Sequence, residues 1–285
     1  MSEDAIRSTE LVEINAPVPF LAGPREIWRN FREHRHLIAN FIQRDIRLKY
    51  RDSALGYFWS LLEPLGLSAV YFVLFVILAG RPEPKFSLWV LVGVIVWSFF
   101  STALGDSLNS LTRNEGLIKQ VYIPREIFAI TNVGSKLVLA ALSLLVTVPM
   151  MVYFGIAPTL YLLMVPLGLA LASVLALGVG LAMACLNVVN RDVDYFFRFV
   201  IRAGFFLSPV MWTVEWAGNR AKALDYLLLN PMAVPITMVR NGIDGHGLVG
   251  IRPGYVIYSI TFCLLSFLLG AMIFKRFEAT VVKKL

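Results

Sequence analysis

Residues 137–190 carry no charged side chain. A helix that crosses a bilayer needs about 20 mostly apolar residues, so this run is too long for one crossing and suits two. The break belongs at Gly155-Ile156-Ala157-Pro158-Thr159, where glycine and proline punctuate a helical pattern. A water-exposed globule has too little interior for such a run, and composition agrees. Of the 285 residues 58% are hydrophobic and 16% charged, against about 25% charged in soluble domains. The chain reads as an all-α integral membrane protein.

The remaining crossings follow from the same criterion. Residues 65–80 are uncharged and extend back through 57–64 with Glu63 as the only charge; 86–105 and 253–274 are clean spans. Residues 203–214 complete a crossing if Arg198 and Arg202 snorkel to headgroups. Residues 226–239 are broken by Pro231 and Pro235, a backbone that suits a re-entrant element lined by protein. The expectation is six spans, with a re-entrant periplasmic segment at 215–252 before the last.

Basic residues sit asymmetrically around these spans. Arg25, Arg29, Arg32, Arg35, Arg44, Arg47, Lys49 and Arg51 precede the first; Arg113, Lys119, Arg125 and Lys136 follow the second. Arg191, Arg198 and Arg202 follow the fourth, and Lys275, Arg276, Lys283 and Lys284 close the chain. The opposite side has Arg81 and Lys85, then Arg220, Lys222, Arg240 and Arg252. Positive-inside reasoning places both termini in the cytoplasm, which requires an even number of crossings. The layout is a cytoplasmic tail (1–24), an amphipathic interface helix region (25–56), a membrane domain (57–275) and a C-terminal tail (276–285).

Function is sought first at the cytoplasmic edge. In residues 37–62, Arg44, Arg47, Lys49 and Arg51 lie among apolar residues at helical spacing, then give way to Tyr57, Phe58 and Trp59. That is the composition of a basic helix turning into a bilayer. Residues 111–128 mix charges with Leu117, Ile118, Val121 and Tyr122, expected on one face of a short helix before Pro124. Such a helix suits docking of a soluble partner or lying on lipid. In 187–202, Arg191 and Asp192 could pair locally. Aromatics are dense in the first, second and fifth spans, including Tyr71, Phe72, Phe75, Trp97, Phe99, Phe100, Phe196, Phe197, Phe199, Phe205 and Phe206. Aromatic faces can stack on sugars, pack internally or form interfacial belts. Glu63 and Asp106 lie near expected interfaces, where a solvated or snorkelled role is expected.

Several chemistries find no support. There is no G-x-x-x-x-G-K-[ST] phosphate loop, no G-x-S-x-G nucleophile arrangement, and His34, His36 and His246 have no metal spacing. Cys185 and Cys263 lie in apolar runs and read as small buried hydrophobes. The +7 charge flanks spans rather than marking a nucleic-acid surface, and the polar, acidic N-terminus reads as no cleavable signal peptide. Few intramembrane charges disfavour a proton relay, so transport energy must come from another subunit.

The run RDIRLKYRDSALGYFWSLLEPL, beginning at Arg44, resembles the start of the membrane domains of bacterial ABC transporters that export polysaccharide: O antigen, capsule, teichoic acid or galactan. EGLIKQVYIPREIF, NRDVDYFFRF, SPVMW and LNPMAVPITMVRNG are similar to later segments of that family, in the same order. The resemblance implies two copies of this chain paired with two copies of a nucleotide-binding ATPase. It implies that ATP and magnesium are held by that subunit, with no cofactor in this chain. The cargo it implies is a polyprenyl-pyrophosphate-linked glycan crossing the bacterial inner membrane.

By the same resemblance, Glu115, Gly116, Leu117, Ile118, Lys119, Gln120, Val121 and Tyr122 form the ATPase-coupling segment. Tyr71, Phe72, Phe75, Phe196, Phe197 and Phe199 become candidates for the glycan path. Arg44, Arg47 and Arg51 become candidates to attract the pyrophosphate, with anchoring to anionic membrane lipid as the alternative. The resemblance does not extend to residues 1–24. Two other readings stand beside this one: an export permease for drugs or small lipids, and a membrane-bound transferase acting on lipid-linked sugars. The transferase needs a catalytic group such as Glu63, Asp106 or His246 facing a cavity.

Overall fold

The computed structural model describes residues 19–78, 85–121, 123–213, 225, 227–248, 251–282 and 284. Its helices run α1 (Gly23–Glu33), α2 (Arg35–Lys49), α3 (Trp59–Phe72), α4 (Phe86–Leu108), α5 (Ser110–Arg113), α6 (Glu115–Gln120), α7 (Glu126–Leu144), α8 (Thr147–Tyr153), α9 (Met164–Val189), α10 (Asp192–Leu207), α11 (Ala233–Asp244) and α12 (Pro253–Val282). No strand occurs among the described residues.

The interface region is two helices, not one. α1 begins with Pro24, where the missing N–H leaves no helical bond unmade, and ends at His34. α2 stops at Lys49 and is not continuous with α3. Asp52 (φ 61°) and Gly56 (φ 49°) take left-handed conformations that a right-handed helix cannot contain. α3 then restarts at Trp59 and continues as a π-helical stretch, Val73–Leu78.

Four helical stretches among the described residues are long and apolar enough to cross a membrane: Phe86–Leu108, Glu126–Tyr153, Leu160–Val189 and Pro253–Val281. The break between the second and third falls where glycine and proline placed it, with Gly155 at φ 67°. The second stretch begins at Glu126 rather than at 137. Lys136 is tolerated inside α7 because its Nζ lies 2.8 Å from Asp106 Oδ2. α10 has 16 residues, about 24 Å of helix against a hydrocarbon core of about 30 Å.

α4 is buried on nearly every side, with Leu91, Val92, Val96 and Ala103 fully enclosed. It packs on α3, α7, α9 and α11, while α2 lies on α7 and α1 on α12. α9 and α12 cross closely: a Cβ added at Gly178 would stand 2.5 Å from the Phe267 backbone nitrogen. Small residues let helices approach this closely where hydrophobic burial does not drive association. α11 is short, 12 residues or about 18 Å, and almost wholly buried. Pro235 sits in its first turn and Gly245 (φ 84°) closes it. Asp244 at its end accepts from Lys85 Nζ (2.9 Å) and Trp89 Nε1 (3.1 Å), fixing the start of α4 to the end of α11.

Candidate docking helix and aromatic path

α4, α5 and α6 descend almost as one helix, interrupted at Asn109 and Asn114. Lys119 Nζ lies 2.6 Å from Glu115 Oε1 across one turn, and both side chains are about half exposed. Ile118 packs inward on a core cluster of Ile27, Leu111, Ala129, Leu181, Cys185 and Phe274. Leu117 and Val121 are exposed. This corrects the expectation of one shared apolar face: the helix ends at Gln120 and Val121 is already extended (φ −132°, ψ 134°). Gly116 and Gln120 complete the exposed rim; Tyr122 lies outside the described residues.

Two polar networks root α6 in the bundle. Beyond Pro124, the carboxylate of Glu126 is fully buried and accepts from Asn30 Nδ2 (2.7 Å) and Lys275 Nζ (2.8 Å). Lys275 also donates to Glu278 (3.0 Å), which accepts from Arg125 Nη1 (3.0 Å). α1, α7 and α12 thus meet in one cluster of charges, which Glu26 of α1 joins at 4.0 Å from Lys275 Nζ. On the other side, Asn109 Nδ2 donates to Asp194 Oδ1 (2.9 Å) and Asn109 Oδ1 accepts from Asn187 Nδ2 (3.0 Å). Arg198 Nη2 donates to Asp194 Oδ2 at 2.6 Å, an ion pair one turn apart within α10. Burial works to raise the Asp194 carboxyl, but the bonds from Arg198 and Asn109 and the charges of Arg198 and Arg113 hold it below its ordinary value.

The aromatic candidates divide. Phe197 and Phe199 line an apolar cavity of about 450 Å³ with Trp97, Phe100, Leu175, Met232 and Phe262. Phe196 meets Phe197 edge to face at 5.7 Å but is itself 61% exposed. Tyr71 reaches the same array through Phe205 (6.0 Å), which contacts Trp97 (6.3 Å). Phe72 is half-buried, and the side chain of Phe75 lies outside the described residues. Trp97 and Phe205 are therefore the hub, a role that span membership alone did not single out.

The arginine trio divides too. Arg44 lines a separate cavity beside α7, whereas Arg47 and Arg51 are exposed away from it. Sequence reading also passed over Arg240, which is 4% exposed. Its guanidinium donates to the carbonyls of Trp89 (3.2 Å), Pro209 (2.6 Å), Val210 (3.1 Å) and Trp212 (3.1 Å), tying α11 to α4 and the end of α10. A lone basic residue inside an apolar stretch was its signal. Glu63 is exposed, Asp106 is held by Arg113 and Lys136, and His246 sits beside Asp244. The three lie on different elements, with no convergence of the kind a transferase needs.

Residues 36–244 match the sequence profile of the ABC-2 type transporter family. The chain is 26% identical over 241 residues to the O-antigen export system permease protein RfbA of Myxococcus xanthus, covering 83% of this chain and 91% of that protein. A Klebsiella pneumoniae protein of the same description is 26% identical over 211 residues (72% and 79% covered). The polysialic acid transport protein KpsM of Escherichia coli is 23% identical over 253 residues (84% and 92%). The family match runs from α2 to the end of α11 and so contains α6, the Asp194 network and the aromatic array. A multi-pass helical protein matched over most of its length in this way belongs to the ABC-2 type transporter family.

Proposed function

We propose that the chain is the transmembrane subunit of an ATP-driven exporter moving a polyprenyl-pyrophosphate-linked polysaccharide from the cytoplasmic side across the bacterial inner membrane. The observation that carries this reading is α6: Leu117 and Val121 are presented outward while Ile118 is anchored in the bundle. A transporter chain with no phosphate loop of its own needs such a contact with a separate nucleotide-binding subunit, to which ATP and magnesium belong. The relatives named for O-antigen export and polysialic acid transport supply the substrate class. Six crossings with both termini cytoplasmic fit the placement of basic residues. In that scheme α3 with its π-helical extension is the first span, α10 from Arg198 onward begins the fifth, and α11 belongs to the re-entrant element.

α10 exposes Tyr195, Phe196, Phe199 and Phe206, and in this reading they face a second copy of the chain across the glycan path. Membrane lipid covers the remaining apolar surface, with Arg47 and Arg51 on anionic headgroups. The test is Leu117→Glu combined with Val121→Glu in the full chain. The expected result is a folded protein that no longer co-purifies with its ATPase and supports no surface glycan. Retained association and glycan would remove the docking role. Normal surface glycan after deletion of the chain would remove the polysaccharide substrate and favour a drug or small-lipid cargo.

A further inference from the structure

α4 gives way to α5 at Asn109 (φ −90°, ψ 7°), and α6 follows after Asn114. The Asn109 side chain leaves this line of helices and meets two others. Its Nδ2 donates to the Gly105 carbonyl (3.0 Å) and to Asp194 Oδ1 on α10 (2.9 Å); its Oδ1 accepts from Asn187 Nδ2 on α9 (3.0 Å). Two acceptors face the nitrogen and a donor faces the oxygen, so one orientation of the amide satisfies all three. On α10, Asp194 shares a face with Phe197, Ile201 and Phe205 by helical spacing, and those three pack against the main core. Two side-chain atoms flanking this knot have no hydrogen-bond partner among the described residues: Ser110 Oγ on α5 and Asn187 Oδ1 on α9. Their residues are 0% and 2% exposed, and α5 packs on α9. One atom belongs to a hydroxyl donor and the other is an acceptor. Folded proteins pair nearly all buried polar groups, so a complementary pair left open on two touching helices calls for an explanation.

We propose that Asn109 is a positioning residue for transport: it carries movement of α6 into α10, through a turn of α5 against α9 that pairs Ser110 with Asn187. In the arrangement seen, the Asn109–Asp194 bond holds the start of α10 while Ser110 and Asn187 Oδ1 stay unpaired. In the second arrangement Ser110 Oγ donates to Asn187 Oδ1, and α5 turns with it. Asn109 precedes Ser110 in the chain, so the same turn shifts its amide and pulls on Asp194. α10 then moves along the face that bears Phe197 and Phe205, against Trp97 of α4, whose ring centre is 6.3 Å from that of Phe205. Each arrangement makes a bond that the other lacks or strains, which gives two discrete states and not a continuous range. α6 begins one residue beyond α5 and presents Leu117 and Val121 outward, so a partner bound there is placed to bias the choice. The assignment rests on the export reading for that partner and for the cargo.

The test uses the full chain in complex with its ATPase. Ser110→Ala removes a hydroxyl that is unpaired in the arrangement seen, so a purely structural role predicts no loss of stability. The expected result is an unchanged or raised thermal unfolding midpoint, ATPase co-purification as in wild type, and surface glycan reduced at least about fivefold. Asn109→Ala should lose glycan in the same way with the ATPase still bound; Ser110→Ala keeps the test valid if Asn109→Ala fails to fold. Ser101→Ala, whose hydroxyl bonds back within α4, should export as wild type. Normal glycan in Ser110→Ala, where deletion of the chain abolishes it, would overturn the proposal. So would loss of ATPase binding together with glycan, since the knot would then support the docking helix and not transmit from it. A distance measurement separates the device from the cargo. Spin labels on Gly116→Cys and Asp192→Cys, both exposed positions, should show an ATP-dependent shift in the complex in nanodiscs that Ser110→Ala abolishes. An identical response with and without Ser110→Ala would overturn the second arrangement. That measurement needs ATP but no glycan. A shift abolished by Ser110→Ala, in a chain whose deletion leaves surface glycan normal, would therefore sink the polysaccharide reading alone.

Discussion

Glu126 shows how much one side chain can hold. It is enclosed where α1, α7 and α12 meet, and its two oxygens are taken by Asn30 and Lys275. Glu278 and, at 4.0 Å, Glu26 stand beside the same Lys275 ammonium; removing Glu126 takes from that buried cation the carboxylate that holds it most closely, at 2.8 Å. Glu126→Ala is therefore expected to cost about 3–5 kcal/mol, read as a fall in the thermal unfolding midpoint of the purified chain. The double variant with Lys275→Ala should cost less than the sum of the two single changes. Asp194 gives a pH test. Its folded-state value lies below the ordinary one, so the stability it contributes is present above the unfolded carboxylate pKa. That contribution is lost as pH falls through the lowered folded value. The stability difference between wild type and Asp194→Asn should shrink as pH drops below about 4, and a difference unchanged down to pH 2 would mean the carboxylate is not what stabilises.

Among the elements, α6 has two faces of different character. Ile118 is partly buried against the cluster that also holds α1, α9 and α12, whereas Leu117 is 37% exposed. Ile118→Ala should lower stability by about 1–3 kcal/mol, less than a fully buried site because the position is partly open. Leu117→Ala should change stability by less than about 0.5 kcal/mol while weakening ATPase association in pull-down. The reverse pattern would mean that the inward and outward faces are misassigned. α11 makes the complementary point. Its local sequence is a proline-interrupted apolar stretch, but what keeps it inside the protein is Arg240 holding four carbonyls of α4 and the turn after α10.

For the molecule as a whole, the aromatic surface of α10 is the feature a single copy leaves open: Tyr195 is 70% and Phe199 69% exposed. If two copies face one another there, Phe199→Cys should form an intermolecular disulfide in membranes under mild oxidant. The native Cys185 and Cys263 are both buried, so the background should stay unreactive. A monomer band alone on a non-reducing gel would argue against that face as the dimer contact.

The uncharged run 137–190, its break near Gly155 and the proline-broken stretch before the last helix are local and one-dimensional, and a lipid environment lets few alternatives compete with helix. By itself the sequence therefore determined an all-helical membrane chain and the helix break near Gly155. It could not show that α2 ends at Lys49, that Lys136 lies within α7, or that Ile118 points inward. Nor could it show that Arg44 faces a cavity while Arg47 and Arg51 do not. Those facts depend on residues far apart in the chain: Asn30 meets Glu126 and Lys275 meets Glu126 only because α1 and α12 pack beside α7. Apolar length is a property of each segment. Which charges converge is decided by how segments pack, and tertiary structure alone supplies it.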